Sequence, residues 1–154
     1  MQIDRGRGVF TCGHCGSEQE APAALEYLEL LSETSTPCPL CFTPLAASRL
    51  EGYSLRCCGR CFGMLIEMSC FAAVIDVLRA HESRVTRTAL PRRQAPSDRL
   101  VNCPSCGQPM VSHLYGGAGN VVIDSCETCR LNWLDPGELR RIAVAPDWRG
   151  TESN

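Results

Sequence analysis

Four cysteine doublets, each with two residues between its members, fall into two matching halves of the chain. The first half carries Cys38-Pro39-Leu40-Cys41 and, after sixteen intervening residues, Cys58-Gly59-Arg60-Cys61. The second carries Cys103-Pro104-Ser105-Cys106 and, after nineteen intervening residues, Cys126-Glu127-Thr128-Cys129. Two such doublets separated by roughly 15–20 residues have the spacing of a four-thiolate zinc site. Twelve cysteines in 154 residues leave two broad explanations, disulfides in a secreted protein or metal in a reducing compartment. The opening residues, Met1 to Arg5, lead into no apolar signal-peptide core, and no stretch approaches the ~20 apolar residues of a membrane span. A disulfide framework would not require four doublets of one spacing. The expectation is two zinc ions, held by Cys38, Cys41, Cys58 and Cys61 and by Cys103, Cys106, Cys126 and Cys129, in a cytoplasmic protein. A tetrahedral site filled by four cysteines leaves no position for water or substrate, so both sites are expected to be structural and no catalytic residue is assigned.

Charge argues about partners. The formal net charge of −2 counts cysteines as neutral. Zinc ligands are thiolates, so each filled site adds two negative charges and the loaded protein lies near −6. That field does not favour nucleic acid. The one basic run is Arg79, Arg84, Arg87, Arg92, Arg93 and Arg99, around Pro91 and Pro96, and it reads as a solvated connector before it reads as a phosphate contact. A protein partner is expected first, with nucleic acid through the Arg-rich connector as the lesser expectation, and no membrane.

The sequence divides into a segment at 1–36, repeats at 37–81 and 102–145, an Arg/Pro linker at 82–101 and a tail at 146–154. After each repeat's first doublet comes a strand candidate, Leu45 to Leu50 and Met110 to Tyr115. A turn follows, Glu51-Gly52 in one repeat and the glycine-rich 116–120 in the other. A second strand, Tyr53 to Arg56 or Val121 to Asp124, then enters the second doublet. Each hairpin thereby brings two knuckles over one ion, which is the geometry of a zinc ribbon. A helix is expected next. Asp135-Pro136-Gly137-Glu138 reads as a capping box with Asp in place of Ser or Thr, and Met68, Phe71, Ile75 and Leu78 make one apolar helical face. The expected fold class is a small metal-stabilised α+β protein: two tandem zinc ribbons, each a β-hairpin plus helix, with an N-terminal Cys-x2-Cys segment. Apolar burial at about 1.5–3 kcal/mol per large side chain does not hold a ~45-residue unit without such a staple. The run from Ala23 to Leu31 fits helix and strand equally.

The N-terminal doublet Cys12-Gly13-His14-Cys15 stands apart. It reads as a further ligand pair for a possible third zinc, with its completion open among Cys38/Cys41, Cys57 with Cys70, His14, His81 and a second protomer. The rival reading is a thiol–disulfide oxidoreductase using Cys12 and Cys15, which requires the motif at a helix N-terminus after a strand. Cys57 and Cys70 are expected to be non-ligands. Trp133 is expected to pack in the interior before it stacks on a base, and His113 is expected at the surface.

Cys103-Pro104-Ser105-Cys106, Tyr115-Gly116-Gly117, Cys126-Glu127-Thr128-Cys129 and Trp133-Leu134-Asp135-Pro136-Gly137-Glu138-Leu139 together resemble the transcription factor IIB-type zinc-ribbon family of bacterial proteins. Residues 37–78 look like a diverged second copy, with Leu65 in place of the Trp. The resemblance implies a zinc-binding fold and a link to transcription, and it supplies no catalytic residue.

Overall fold

The computed structural model describes residues 2–4, 9–11, 14–16, 18–20, 28–82, 99–115, 121–135 and 137–144. Three short strands, β1 (Gln2–Asp4), β2 (Val9–Thr11) and β3 (Glu18–Glu20), form an antiparallel sheet in sequence order. A second sheet contains β4 (Glu29–Pro37), β5 (Pro44–Leu50), β6 (Tyr53–Cys57), β7 (Met64–Glu67), β8 (Val111–Leu114), β9 (Val122–Cys126) and β10 (Leu131–Leu134). Its order is β4-β5-β6-β7-β10-β9-β8. Helix α1 (Met68–Glu82) follows β7, and helix α2 (Glu138–Val144) follows β10.

The hairpins expected from the sequence are present, but the halves are not independent hairpin-plus-helix units. Each gains a third strand after its second knuckle, and those strands, β7 and β10, pair antiparallel with each other. The register is Leu65↔Trp133, flanked by Ile66↔Asn132 and Met64↔Leu134. Leu65 stands four residues beyond Cys61 and Trp133 four beyond Cys129, so the pair joins positions equally spaced from the two quartets. A local pseudo-twofold axis therefore passes between them. The outcome is a mostly β protein in which one sheet carries both halves. Of the ambiguous run from Ala23 to Leu31, Glu29–Leu31 is strand within β4, and 23–27 lie outside the described residues.

Strand alternation divides the interior into two layers. Met64 and Ile66 of β7, Leu134 of β10 and Ile123 of β9 pack with Phe71, Val74, Ile75 and Leu78 of α1 and with Leu139, Ile142 and Ala143 of α2. Val74 joins the expected helical face, and Met68, at the start of the helix, is only half-buried. On the other side lie Leu45, Leu65, Val101, Met110, Leu131 and Trp133, together with Cys38, Cys58, Cys103 and Cys126. Both cysteine quartets thus share the layer that contains the Leu65–Trp133 pair.

Candidate metal centres

Each knuckle lies within the six residues between two antiparallel partners, and in the fourth the ladder runs one pair further in, to Cys126↔Leu131. The flanking pairs are Pro37↔Pro44, Cys57↔Met64, Asn102↔Pro109 and Ser125↔Asn132. The first cysteine occupies loop position one and the second occupies position four. Position five is left-handed every time: Phe42 at φ 60°, Phe62 at 62°, Gly107 at 75° and Arg130 at 58°. This residue bends the chain so that its N–H reaches the carbonyl of the first cysteine, as in Phe42 N–H to Cys38 O at 2.9 Å, Phe62 to Cys58 at 2.9 Å and Gly107 to Cys103 at 2.8 Å. A left-handed residue with a side chain costs roughly 1–2 kcal/mol. Three of the four knuckles accept that cost at positions where glycine would avoid it.

The same bend turns backbone donors toward sulfur. Cys38 Sγ accepts the N–H groups of Leu40 and Cys41, each at 3.4 Å. Cys58 Sγ accepts those of Arg60 at 3.4 Å and Cys61 at 3.5 Å, and Cys126 Sγ accepts that of Cys129 at 3.4 Å. Such bonds favour the charged thiolate. Thr43 adds a hydroxyl 3.5 Å from Cys58 Sγ, a contact the sequence alone did not suggest.

The eight cysteines converge as two groups, Cys38/Cys41/Cys58/Cys61 and Cys103/Cys106/Cys126/Cys129, with all ligand atoms of a group within 4.8 Å of one another. Cys38 and Cys61 sulfurs lie 3.7 Å apart, as do those of Cys106 and Cys126. A tetrahedron with Zn–S of about 2.3 Å has edges of about 3.8 Å, whereas a disulfide would place the sulfurs about 2 Å apart. Among the described residues no cysteine is in a disulfide. Donor chemistry and spacing therefore fit two zinc ions. The two sites differ in exposure: Cys38 and Cys58 are buried and Cys41 and Cys61 half-buried, whereas at the second site Cys106 is exposed.

In the metal-free protein, crowding sorts the protons. Cys58 is held down at about 4, first by the hydrogen bond from the Cys61 thiol and then by backbone N–H groups and Thr43. Cys61 is pushed up by donating that bond and by burial. Burial raises Cys38 and pushes Cys103 up to about 12. At neutral pH these last three sulfurs carry protons that the metal must displace. Zinc affinity is therefore expected to rise with pH and to weaken as pH falls from 8 toward 5.5. Competition against a chromophoric chelator across that range measures it, with protons released on binding as the second readout. An affinity independent of pH would contradict the assignment of protonated thiols.

The remaining candidates are placed as follows. Cys57 is buried in the helix-side layer and belongs to neither quartet. Cys70 Sγ lies 3.4 Å from the carbonyl of Glu67. His113 Nε2 meets Ser125 Oγ at 2.7 Å, and Ser125 Oγ in turn donates to Asn132 Oδ1 at 2.7 Å. Trp133 is fully buried, so it is not a base-stacking platform. Its indole N–H donates to Asp135 Oδ1 at 3.3 Å, and Arg99 pairs with the same carboxylate. Only half of the expected capping box forms: Glu138 Oε2 accepts the Asp135 N–H at 2.7 Å, while the Asp135 carboxylate serves Trp133 and Arg99. Burial, with the neighbouring Asp135 charge, pushes Glu138 up to about 7.

Cys12 lies outside the described residues, as do linker residues 83–98, which include four of the six arginines of the basic run. Cys15 is exposed in the turn before β3. It precedes a strand and not a helix, so the context that thiol–disulfide chemistry requires is not what the described residues provide. Cys38 and Cys41 are committed to the first quartet and are not available to complete a site at Cys12/Cys15. No described helix is long and apolar enough to cross a membrane.

Residues 102–145 match a family model described as a transcription factor zinc-finger, of the transcription factor IIB ribbon type. No curated protein and no solved structure matches the chain. Residues 102–145 are thus similar to a transcription factor IIB-type zinc ribbon, while the quartet at 38–61 stands on its own geometry without a family match.

Proposed function

We propose that this chain is a non-catalytic interaction module, built from two tandem copies of one zinc ribbon, that engages a protein partner. The observation that carries the reading is the saturation of both quartets: four thiolates fill a tetrahedral zinc and leave no position for substrate or activated water. The ions then serve to hold a surface. On that surface Phe42 is 78% exposed at a left-handed φ of 60°. An exposed aromatic ring at a strained position suits an anchor for a partner's apolar pocket. A reducing compartment such as the cytoplasm suits the thiol chemistry. The resemblance of the second half supports a role near transcription, and the net charge of −2 favours a protein partner over nucleic acid.

Three experiments test this. Zinc-loaded protein is expected to pass through a polyanion column at low ionic strength, whereas retention that falls steeply with salt would favour nucleic acid bound through the Arg-rich linker. Partners captured from native cells are expected to be lost on Phe42→Asp with zinc content unchanged. Reduction of insulin disulfides by the wild type, abolished by Cys12→Ser, would replace this reading with an oxidoreductase.

A further inference from the structure

The N-terminal doublet repeats the spacing of the four knuckles already described. Strands β2 and β3 pair antiparallel with Thr11↔Glu18 as the last pair, leaving the same six-residue interval, 12–17. Cysteine again stands at positions one and four of that interval, as Cys12 and Cys15. Position five is Gly16, left-handed at φ 69°, within the 58–75° range of the other four. Spacing, strand register and the left-handed residue after the second cysteine all coincide. A fifth knuckle has only two thiolates, and a structural zinc takes four ligands.

Among the described residues, the chain groups metal-ligating side chains only in the two quartets. Eight of its twelve cysteines are committed to the two quartets. Cys57 is buried in the helix-side layer and Cys70 is turned onto the carbonyl of Glu67. His81 Nε2 is 2.9 Å from Glu51, and His113 Nε2 is engaged with Ser125. His14 lies inside the knuckle itself, between its two cysteines.

From this register we infer that Cys12 and Cys15 of two copies of this chain jointly hold a fifth zinc ion, bridging a symmetric dimer. Both intramolecular sites are built by two knuckles facing one another across an ion, and a twofold axis through the metal reproduces that arrangement between chains. The chemistry balances: one Zn2+ and four thiols give a tetrathiolate of net charge −2 and release four protons.

The test measures mass by light scattering and zinc by elemental analysis on the same chromatographic peak of full-length, zinc-saturated protein. The expected result is a dimer holding about five zinc ions. The Cys12→Ser/Cys15→Ser variant is expected to be a monomer of half that mass, with about two zinc ions and an unchanged circular dichroism spectrum. The Cys15→His variant keeps a ligand at that position and is expected to remain dimeric. A monomeric wild type overturns the inference, whether it holds two ions or three. A dimer whose mass and zinc content survive the double substitution also overturns it. Failure of the two intramolecular sites would show separately, as fewer than two ions per chain in both proteins.

Discussion

Removing one zinc site is expected to unfold both halves of the seven-stranded sheet together. A Cys58→Ser substitution touches only the first quartet, yet Cys58 shares a layer with Leu65, Trp133, Cys103 and Cys126, and β7 is hydrogen-bonded to β10. The first N–H of α1, at Met68, is taken by the carbonyl of Arg130, inside the last knuckle of the second site, at 2.9 Å. Losing either ion therefore exposes the interior of the other half. Structural zinc contributes on the order of 10–16 kcal/mol in small finger peptides, comparable to the ~5–15 kcal/mol that holds a whole domain. Fluorescence of Trp133 in a Trp148→Phe background reports on the second half. In Cys58→Ser, or on gradual chelation of the wild type, that signal is expected to move to the solvent-exposed value in one transition. A Cys58→Ser protein that retains one tightly held zinc and a buried Trp133 would show that the halves fold separately.

The second large effect concerns Gly63 and Trp133. A Cβ placed on Gly63 would lie 2.6 Å from Cη2 of the Trp133 indole and closer still to Cζ2. The bare backbone of Gly63, in the second knuckle of the first half, makes the slot in which the large ring of the second half sits. Gly63→Ala is expected to cost about 1–3 kcal/mol through overpacking. Trp133→Ala, which empties a fully buried site, is expected to cost about 3–5 kcal/mol. The double variant Gly63→Ala/Trp133→Leu places at 133 the residue that the first half has at 65. Its loss is expected to fall at least ~1 kcal/mol short of the sum of the Gly63→Ala and Trp133→Leu losses measured singly, the mark of direct contact. Denaturant midpoints at saturating zinc provide the measurement, and strict additivity would contradict the packing described.

What the sequence disclosed follows from the range of each interaction. The eight thiolates were legible because ligand spacing within a knuckle is local, and the hairpin strands because turn residues punctuate them. Strands β7 and β10 were hidden. Met64-Leu65-Ile66 and Leu131 to Leu134 are buried on both faces, so they lack the alternation that marks a half-exposed strand, and each runs close to a helix that absorbs its apolar character. The β7–β10 pairing joins residues 64–67 to 131–134 across the linker, a contact no local signal announces. No sequence signal marks Gly63, and only the position of the Trp133 ring gives it a reason. Asp135 was read as a helix cap from its spacing to Glu138. Arg99 and the Trp133 indole N–H, which spacing does not reveal, claim its carboxylate instead.

The two quartets of cysteines fit one zinc ion each. X-ray absorption at the zinc edge, with elemental analysis of the same Cys12→Ser/Cys15→Ser sample, tests it without the N-terminal doublet. The expected spectrum is a single shell of four sulfurs at about 2.3 Å, with about two ions per chain. Nitrogen or oxygen in that shell, or fewer than two ions in folded protein, would contradict the account.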